Sequence, residues 1–283
     1  MVRSAPVTAA PLPPKAAPPA VTGRLLGTAG AVGAAFLGIA QTTGGMAILL
    51  GGILRRMFSL TPQIDRQELR RNLYKMAVKS LPIVVVTALF TGAIMVIQAA
   101  TIVKRYGAEA LLGWGAGFGT LREVAPLLTA LMISGRVGAN NTAELGTMVV
   151  TEQVDALRAL AIDPLSFLIV PRFIAIIATL FMMTVFADAL ALFGAAYTGQ
   201  ALLGVDPVTF YNGVTGGLLG IGDVASGLVK SLVFGLVIAL SSCHFGLATE
   251  GGAPGVGRAV NATVVASAGG VFALDYIVSL LLG

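Results

Sequence analysis

This 283-residue sequence holds one cysteine, one histidine and one tryptophan, and only 11% of its residues are charged. Each scarcity removes a class of function. The lone Cys243 can form no internal disulfide and so carries no information about redox compartment. The lone His244 excludes a cluster or triad built from several histidines, and its place near the end of an apolar run reads as a tolerated interfacial residue. One histidine beside one cysteine is also poor material for an intramembrane enzyme, which needs a nucleophile or metal constellation. A G-x-x-x-x-G-K-S/T phosphate loop is absent. GIGDVA at 220–225 imitates a dinucleotide fingerprint and GGAPGVGR at 251–258 a phosphate loop, but neither follows a strand and the second lacks the Lys-Ser/Thr pair.

What is abundant is apolar. Hydrophobic residues make up 56% of the chain, the mean hydropathy is +0.90, and several apolar runs reach 20 residues or more, which together define an all-α integral membrane protein. The net charge of +5 does not point to nucleic acid, because the basic residues flank apolar runs and form no stripe with aromatics. Residues 1–24 carry six of the thirteen prolines and read as a disordered Pro/Ala-rich tail. Residues 25–54 are long enough to span but rich in Gly and Thr, so they read either as a further membrane segment or as an amphipathic elbow. Five runs read as transmembrane helices, at about 80–103, 111–134, 173–202, 227–248 and 259–282.

Charge asymmetry orients them. Arg55, Arg56, Arg66, Arg70, Arg71, Lys75 and Lys79 precede the first of the five, Arg136, Arg158 and Arg172 fall in the 134–172 stretch, and Arg258 in the last connector. The alternate loops hold only Lys104 and Arg105, or, from 203 to 226, no basic residue. The positive-inside rule puts 55–79, 134–172 and 249–258 in the cytoplasm and the C-terminus outside.

The stretch 134–172 carries seven charged side chains between apolar runs. Its composition predicts a helix at about 141–161 lying along the membrane, capped at Asn141 or Thr142, with Glu144 in its first turn and Asp155 three residues from both Glu152 and Arg158. Pro164 and Pro171 are expected to break helices before the next span. Such a helix is either a docking element or a solvated connector without a partner. Other charges fall at membrane depth: Arg122 and Glu123, Lys230, and Asp275. They can neutralise one another, as a polar zone beside an apolar cavity or simply as ties within the bundle. Asp188 has no evident counter-charge and either faces a cavity or pairs across a subunit boundary. The small residues of 113–119 and 187–196 allow close helix approach.

The segment GRVGANNTAELGTMVVTEQVDALRALAIDPLSFLIVPR strongly resembles the signature of the MlaE/YrbE family, the permease subunits of ABC transporters that work with MCE proteins in lipid trafficking. LYKMAVKSLPIVVVTALFTGAIMVIQA, YGAEALLG, LREVAPLLTALMISGR, GGAPGVGRAVNATVVAS and LDYIVSLLLG extend the resemblance, in order, over roughly residues 70–283, with Asn140 and Asn141 where small apolar residues are usual. Residues 25–79 are expected to form a membrane-associated elbow and basic cytoplasmic segment, and the resemblance implies that 80–283 form a permease domain and 141–161 a cytoplasmic coupling helix seated in an ATPase subunit through Glu144, Thr151, Glu152, Gln153 and Asp155. It places Asp223 with Arg122, Glu123, Lys230 and Asp275 around a lipid pathway. By the same resemblance the chain is non-catalytic and resides in a bacterial inner membrane. ATP and Mg are bound by an MlaF-like partner, an MlaD-like MCE protein completes the assembly, and a second permease copy or paralogue supplies the other half of the path. An ion-coupled secondary transporter of a hydrophobic substrate is the alternative, since it too would place acids such as Asp188 and Asp275 in spans.

Overall fold

A computed structural model describes residues 20–58, 65–107, 111–217 and 219–282. Every regular element among them is helical, as apolar surroundings require, because a helix satisfies its own backbone N–H and C=O groups where no water can. Residues Met46–Gly283 form one compact unit and Met1–Gly45 another. The first helix, α1 (Ala20–Met57), starts in the smaller unit. There the Thr42 and Thr43 hydroxyls donate back to the Gly38 and Ile39 carbonyls at 2.8 and 2.6 Å, which is how hydroxyls are tolerated in an apolar helix. The tail expected at 1–24 falls mostly outside the described residues, and 20–24 belong to α1.

Helix α2 (Arg66–Tyr106) begins where the Asp65 carboxylate accepts the Gln67 and Glu68 N–H groups and ends at Gly107, whose φ of 63° closes the last turn. A second column runs unbroken through α3 (Leu112–Gly119), a wide π-type turn (Thr120–Val124), α4 (Ala125–Ile133), a second wide turn (Ser134–Gly138) and α5 (Ala139–Val150). The short α6 (Gln153–Ala159) follows, then a third wide turn (Leu165–Ile169) leading directly into α7 (Val170–Leu203). Helix α8 (Pro207–Thr215) fills the connector before α9 (Ile221–Leu247) and α10 (Gly252–Leu282). Six helices among the described residues are long and apolar enough to cross a membrane: the five expected, and Phe36–Met57 within α1.

Four expectations are corrected. The second span does not end at Ser134, since the column continues to Val150. The single helix at 141–161 is instead divided, with 141–150 closing the column and α6 standing apart after a turn at Thr151 and Glu152. Asn141 and Thr142 are buried inside α5 and cap nothing. Pro171 does not break the helix either. The preceding wide turn pairs the Val170 N–H with the Leu165 carbonyl, five residues back, and so makes room for the proline ring; the turn before Pro126 pairs Ala125 with Thr120 in the same way. Leu112–Val150 and Leu165–Leu203 are each 39 residues, about 58 Å of helix against a hydrocarbon core of roughly 30 Å. Their shared end therefore stands clear of the apolar layer.

Helices α2 and α7 make the closest approach. A Cβ at Gly92 would lie 1.8 Å from the Ala191 carbonyl oxygen, and one at Gly194 would lie 2.4 Å from that of Leu89. Both obstacles are backbone and cannot swing aside. Ile176, Leu180, Phe234 and Ile238 fill the core beside this contact. Gly92→Ala and Gly194→Ala are each expected to force the helices apart and cost about 1–3 kcal/mol, seen as a lowered unfolding temperature in nanodiscs. Gly115→Ala, with nothing within 4 Å of the added methyl, should leave that temperature unchanged.

Candidate functional site

Two polar assemblies occupy opposite ends of this bundle. The first gathers all five charges expected along the lipid pathway. The wide turn Thr120–Val124 presents Arg122 and Glu123 to α9, where Asp223 and Lys230 lie two turns apart. Arg122 Nη1 meets Asp223 Oδ1 at 3.1 Å, and its Nη2 donates to the Leu282 carbonyl at 3.2 Å. The guanidinium also sits 5.4 Å from the centre of the Phe118 ring. Lys230 is fully buried. It pairs with Glu123 and lies 3.1 Å from Asp275 Oδ1, while its ammonium donates to Ser279 Oγ at 2.8 Å. The Ser279 hydroxyl in turn donates to Glu123 at 3.3 Å. Two cations thus face three carboxylates, and Glu123 is the most exposed member at 40%.

At the other end, the polar residues of the 134–172 stretch are satisfied across helices. Asn141 donates to Ser242 Oγ at 2.9 Å, Thr142 meets Thr263 at 2.8 Å, and Ser134 meets Ser267 at 2.6 Å. These bonds hold the second column to α9 and α10 and, buried between helices, are each worth about 1 kcal/mol. Glu144 accepts from Asn140 and pairs with Lys75 of α2 and with Arg172 of α7, and Arg172, 2% exposed, also donates to Asn141. Nearby, Asp163 accepts the Leu165 and Ser166 N–H groups and pairs with Arg56. Burial would raise its carboxyl pKa, but hydrogen bonds from Arg56 and Ser166, the charge of Arg56 and the Leu165 N–H outweigh that and lower it to about 2.

Between these anchors the chain reverses through α6. Glu152 and Ala161 flank it at φ 59° and 58°, left-handed conformations that cost non-glycine residues about 1–2 kcal/mol each. Thr151, Glu152, Gln153 and Asp155 are all exposed; the Gln153 amide donates to Thr151, and Arg158 pairs with Asp155. A strained turn with exposed polar side chains, held between two projecting helices, is suited to being gripped by another molecule.

The family model described as permease MlaE matches residues 69–281. The chain belongs to the MlaE permease family. A probable ABC transporter permease protein of Synechocystis sp. is 38% identical over 223 residues, covering 79% of this chain and 84% of its own. One from Rickettsia typhi is 36% identical over 258 residues, covering 91% and 98%. The intermembrane phospholipid transport system permease protein MlaE of Haemophilus influenzae is 29% identical over 223 residues, covering 78% and 85%.

Within this MlaE-family permease, four of the five residues assigned to coupling sit together on the exposed turn, while Glu144 is engaged by Lys75 and Arg172 inside the bundle. Asp188 is buried on α7 and makes no hydrogen bond or ion pair among the described residues. His244 is half-buried, edge-on to Phe245 with ring centres 5.4 Å apart. Sequence reasoning missed Ser279, Lys75 and Arg172 as partners. Ser279 lies one helical turn beyond Asp275, a spacing that could have drawn it in, and Arg172 is a charge directly after Pro171 in an apolar run.

Lys230→Met should leave Glu123 and Asp275 uncompensated and lower stability by about 3 kcal/mol, the modest end for a buried pair because Glu123 is partly solvated. Adding Glu123→Gln and Asp275→Asn should restore most of the lost unfolding temperature. The Asp163 contacts should be fully present above about pH 4 and lost as pH falls towards 2, because the folded carboxyl titrates below the unfolded one. Hydrogen-exchange protection over 163–169, taken relative to the unfolded-chain rate at each pH, should fall in that window and stay constant with pH in Asp163→Asn.

Proposed function

We propose that this permease is the transmembrane subunit of an ABC transporter that moves phospholipid or a related lipid between the inner membrane and an MCE protein assembly. A separate ATPase subunit binds ATP and Mg and drives it. The observation that carries this reading is the exposed, strained turn around Glu152, on a column that also bears Arg122 and Glu123. ATP-driven closure of the ATPase pair displaces the turn, and the column passes that motion to the charged end, where a lipid head group is held. Two permease copies or paralogues supply the two halves of the path. The name and coverage of the Haemophilus influenzae relative support phospholipid as the substrate class.

The test is Glu152→Lys. Its backbone already adopts the strained conformation and its side chain is exposed, so the fold should survive. Co-purification with the ATPase and lipid-stimulated ATP turnover should fall about tenfold or more by charge repulsion. Retention of both would sink this account of the turn.

One observation favours ion coupling as a second reading: Asp188 is a buried acid with no partner among the described residues. Under that reading, Asp188→Asn abolishes transport in proteoliposomes that lack the ATPase. Under the preferred reading, transport requires the ATPase and survives the substitution.

A further inference from the structure

A cleft of about 260 Å³ opens at the basic end, between α2 and the second column, lined by Lys75, Met76, Lys79, Ser80, Arg136 and Asn140. The two walls have matching spacing: Lys75 and Lys79 lie one turn apart on α2, with Ser80 next to Lys79, and Arg136 and Asn140 one turn apart across the wide turn Ser134–Gly138 and α5. Lys75 is already paired with Glu144, which also answers Arg172. Lys79 and Arg136 form no ion pair or hydrogen bond with any described residue, so the cleft keeps two uncompensated cations. Its floor holds a further unmet group. Ser80 is 0% exposed and its hydroxyl has no hydrogen-bond partner, an uncommon state for a buried donor.

We infer that this cleft is a phosphate-binding site that takes the head group of an anionic phospholipid from the leaflet on the basic side. Arg136 and Lys79 supply charge-assisted hydrogen bonds to the phosphate oxygens, and the Ser80 hydroxyl donates the third. A membrane lipid fits better than a free ion because of depth. Ser80 opens the apolar run of α2, which puts the cleft at head-group level, and Leu81, Val86 and Phe90, further into that run, expose apolar side chains on the same helix against which acyl chains can lie. The site lies at the opposite end from the Arg122–Lys230 assembly and does not depend on the transport reading.

The test places the full-length protein, with the subunits that co-purify with it, in nanodiscs holding equal parts phosphatidylglycerol and phosphatidylcholine, and weighs retained lipid by native mass spectrometry. The wild type should retain phosphatidylglycerol over phosphatidylcholine. The pair Lys79→Gln and Arg136→Gln should lower that preference about tenfold, and Ser80→Ala, which barely changes volume, by a few-fold. Arg105→Gln, which removes an exposed cation near the far end of α2, should keep it. Unchanged preference in the double variant overturns the proposal, and so does an equal loss in Arg105→Gln, which would make the effect one of net charge alone. Loss of a bound subunit with lipid preference intact would make the cleft a protein-docking surface instead. Binding of inorganic phosphate in discs of phosphatidylcholine alone, without selective retention of phosphatidylglycerol, would make it a free-ion site.

Discussion

A fully buried lysine in a membrane-length helix sets the terms for one end of this permease. The Lys230 ammonium has no water to turn to, and its position is tolerable only because Glu123, Asp275 and Ser279 converge on it from two other elements. That requirement fixes where α10 must end and which way the wide turn at Thr120–Val124 must face. The turn in turn commits Arg122, next to Glu123, to Asp223 and the Leu282 carbonyl. One unavoidable charge therefore orders three helix segments. The Gly227 backbone permits it, since a Cβ there would lie 2.1 Å from the Leu121 carbonyl oxygen.

At the opposite end the same constraint is met by many weaker bonds. Ser134, Asn141 and Thr142 find Ser267, Ser242 and Thr263, pairs of short side chains whose donors and acceptors are used up between helices. Arg172 and Lys75 bracket Glu144, so three helices meet on one carboxylate. The contrast has a mechanical meaning. Each end is clamped by polar groups, while the middle is held by apolar contacts and by the close backbone approach of α2 and α7, which resist compression but have no preferred register of charge.

Much of this was legible in the sequence because hydrocarbon punishes polarity so heavily. Five apolar runs gave five spans, and Arg122, Glu123, Lys230 and Asp275 stood out simply as charges inside them. The end of the second span was not legible. Asn141, Thr142 and Glu144 read locally as the start of a separate helix along the membrane, and what joins them to the second span is Ser242, Thr263, Lys75 and Arg172, partners that lie far off in the chain. Pro171 misled for a related reason: a proline stops a regular α-helix, but a single wide turn in front of it removes the clash. The strain at Glu152 had no sequence signal at all, since left-handed backbone is usually announced by glycine or asparagine.

The two wide turns also bear on how the ends can communicate. From Glu123 to Val150 the column is continuous helix of 28 residues, about 42 Å, and a straight helix of that length transmits a push along its axis with little loss. It transmits a tilt poorly wherever its hydrogen-bond ladder is loosened. The loosened places are Thr120–Val124, which carries Arg122 and Glu123, and Ser134–Gly138, which carries Arg136. On the proposed reading, a displacement at Glu152 first meets Ser134–Gly138, where the Ser134–Ser267 bond ties the column to α10. The remaining motion arrives at a turn whose two charged side chains hold α9 and the end of α10. Flexibility is therefore concentrated where the column touches its neighbours through polar groups, so a bend there exchanges ion pairs and hydrogen bonds instead of opening apolar core, and the cost of movement stays small while the change in the charged end is large.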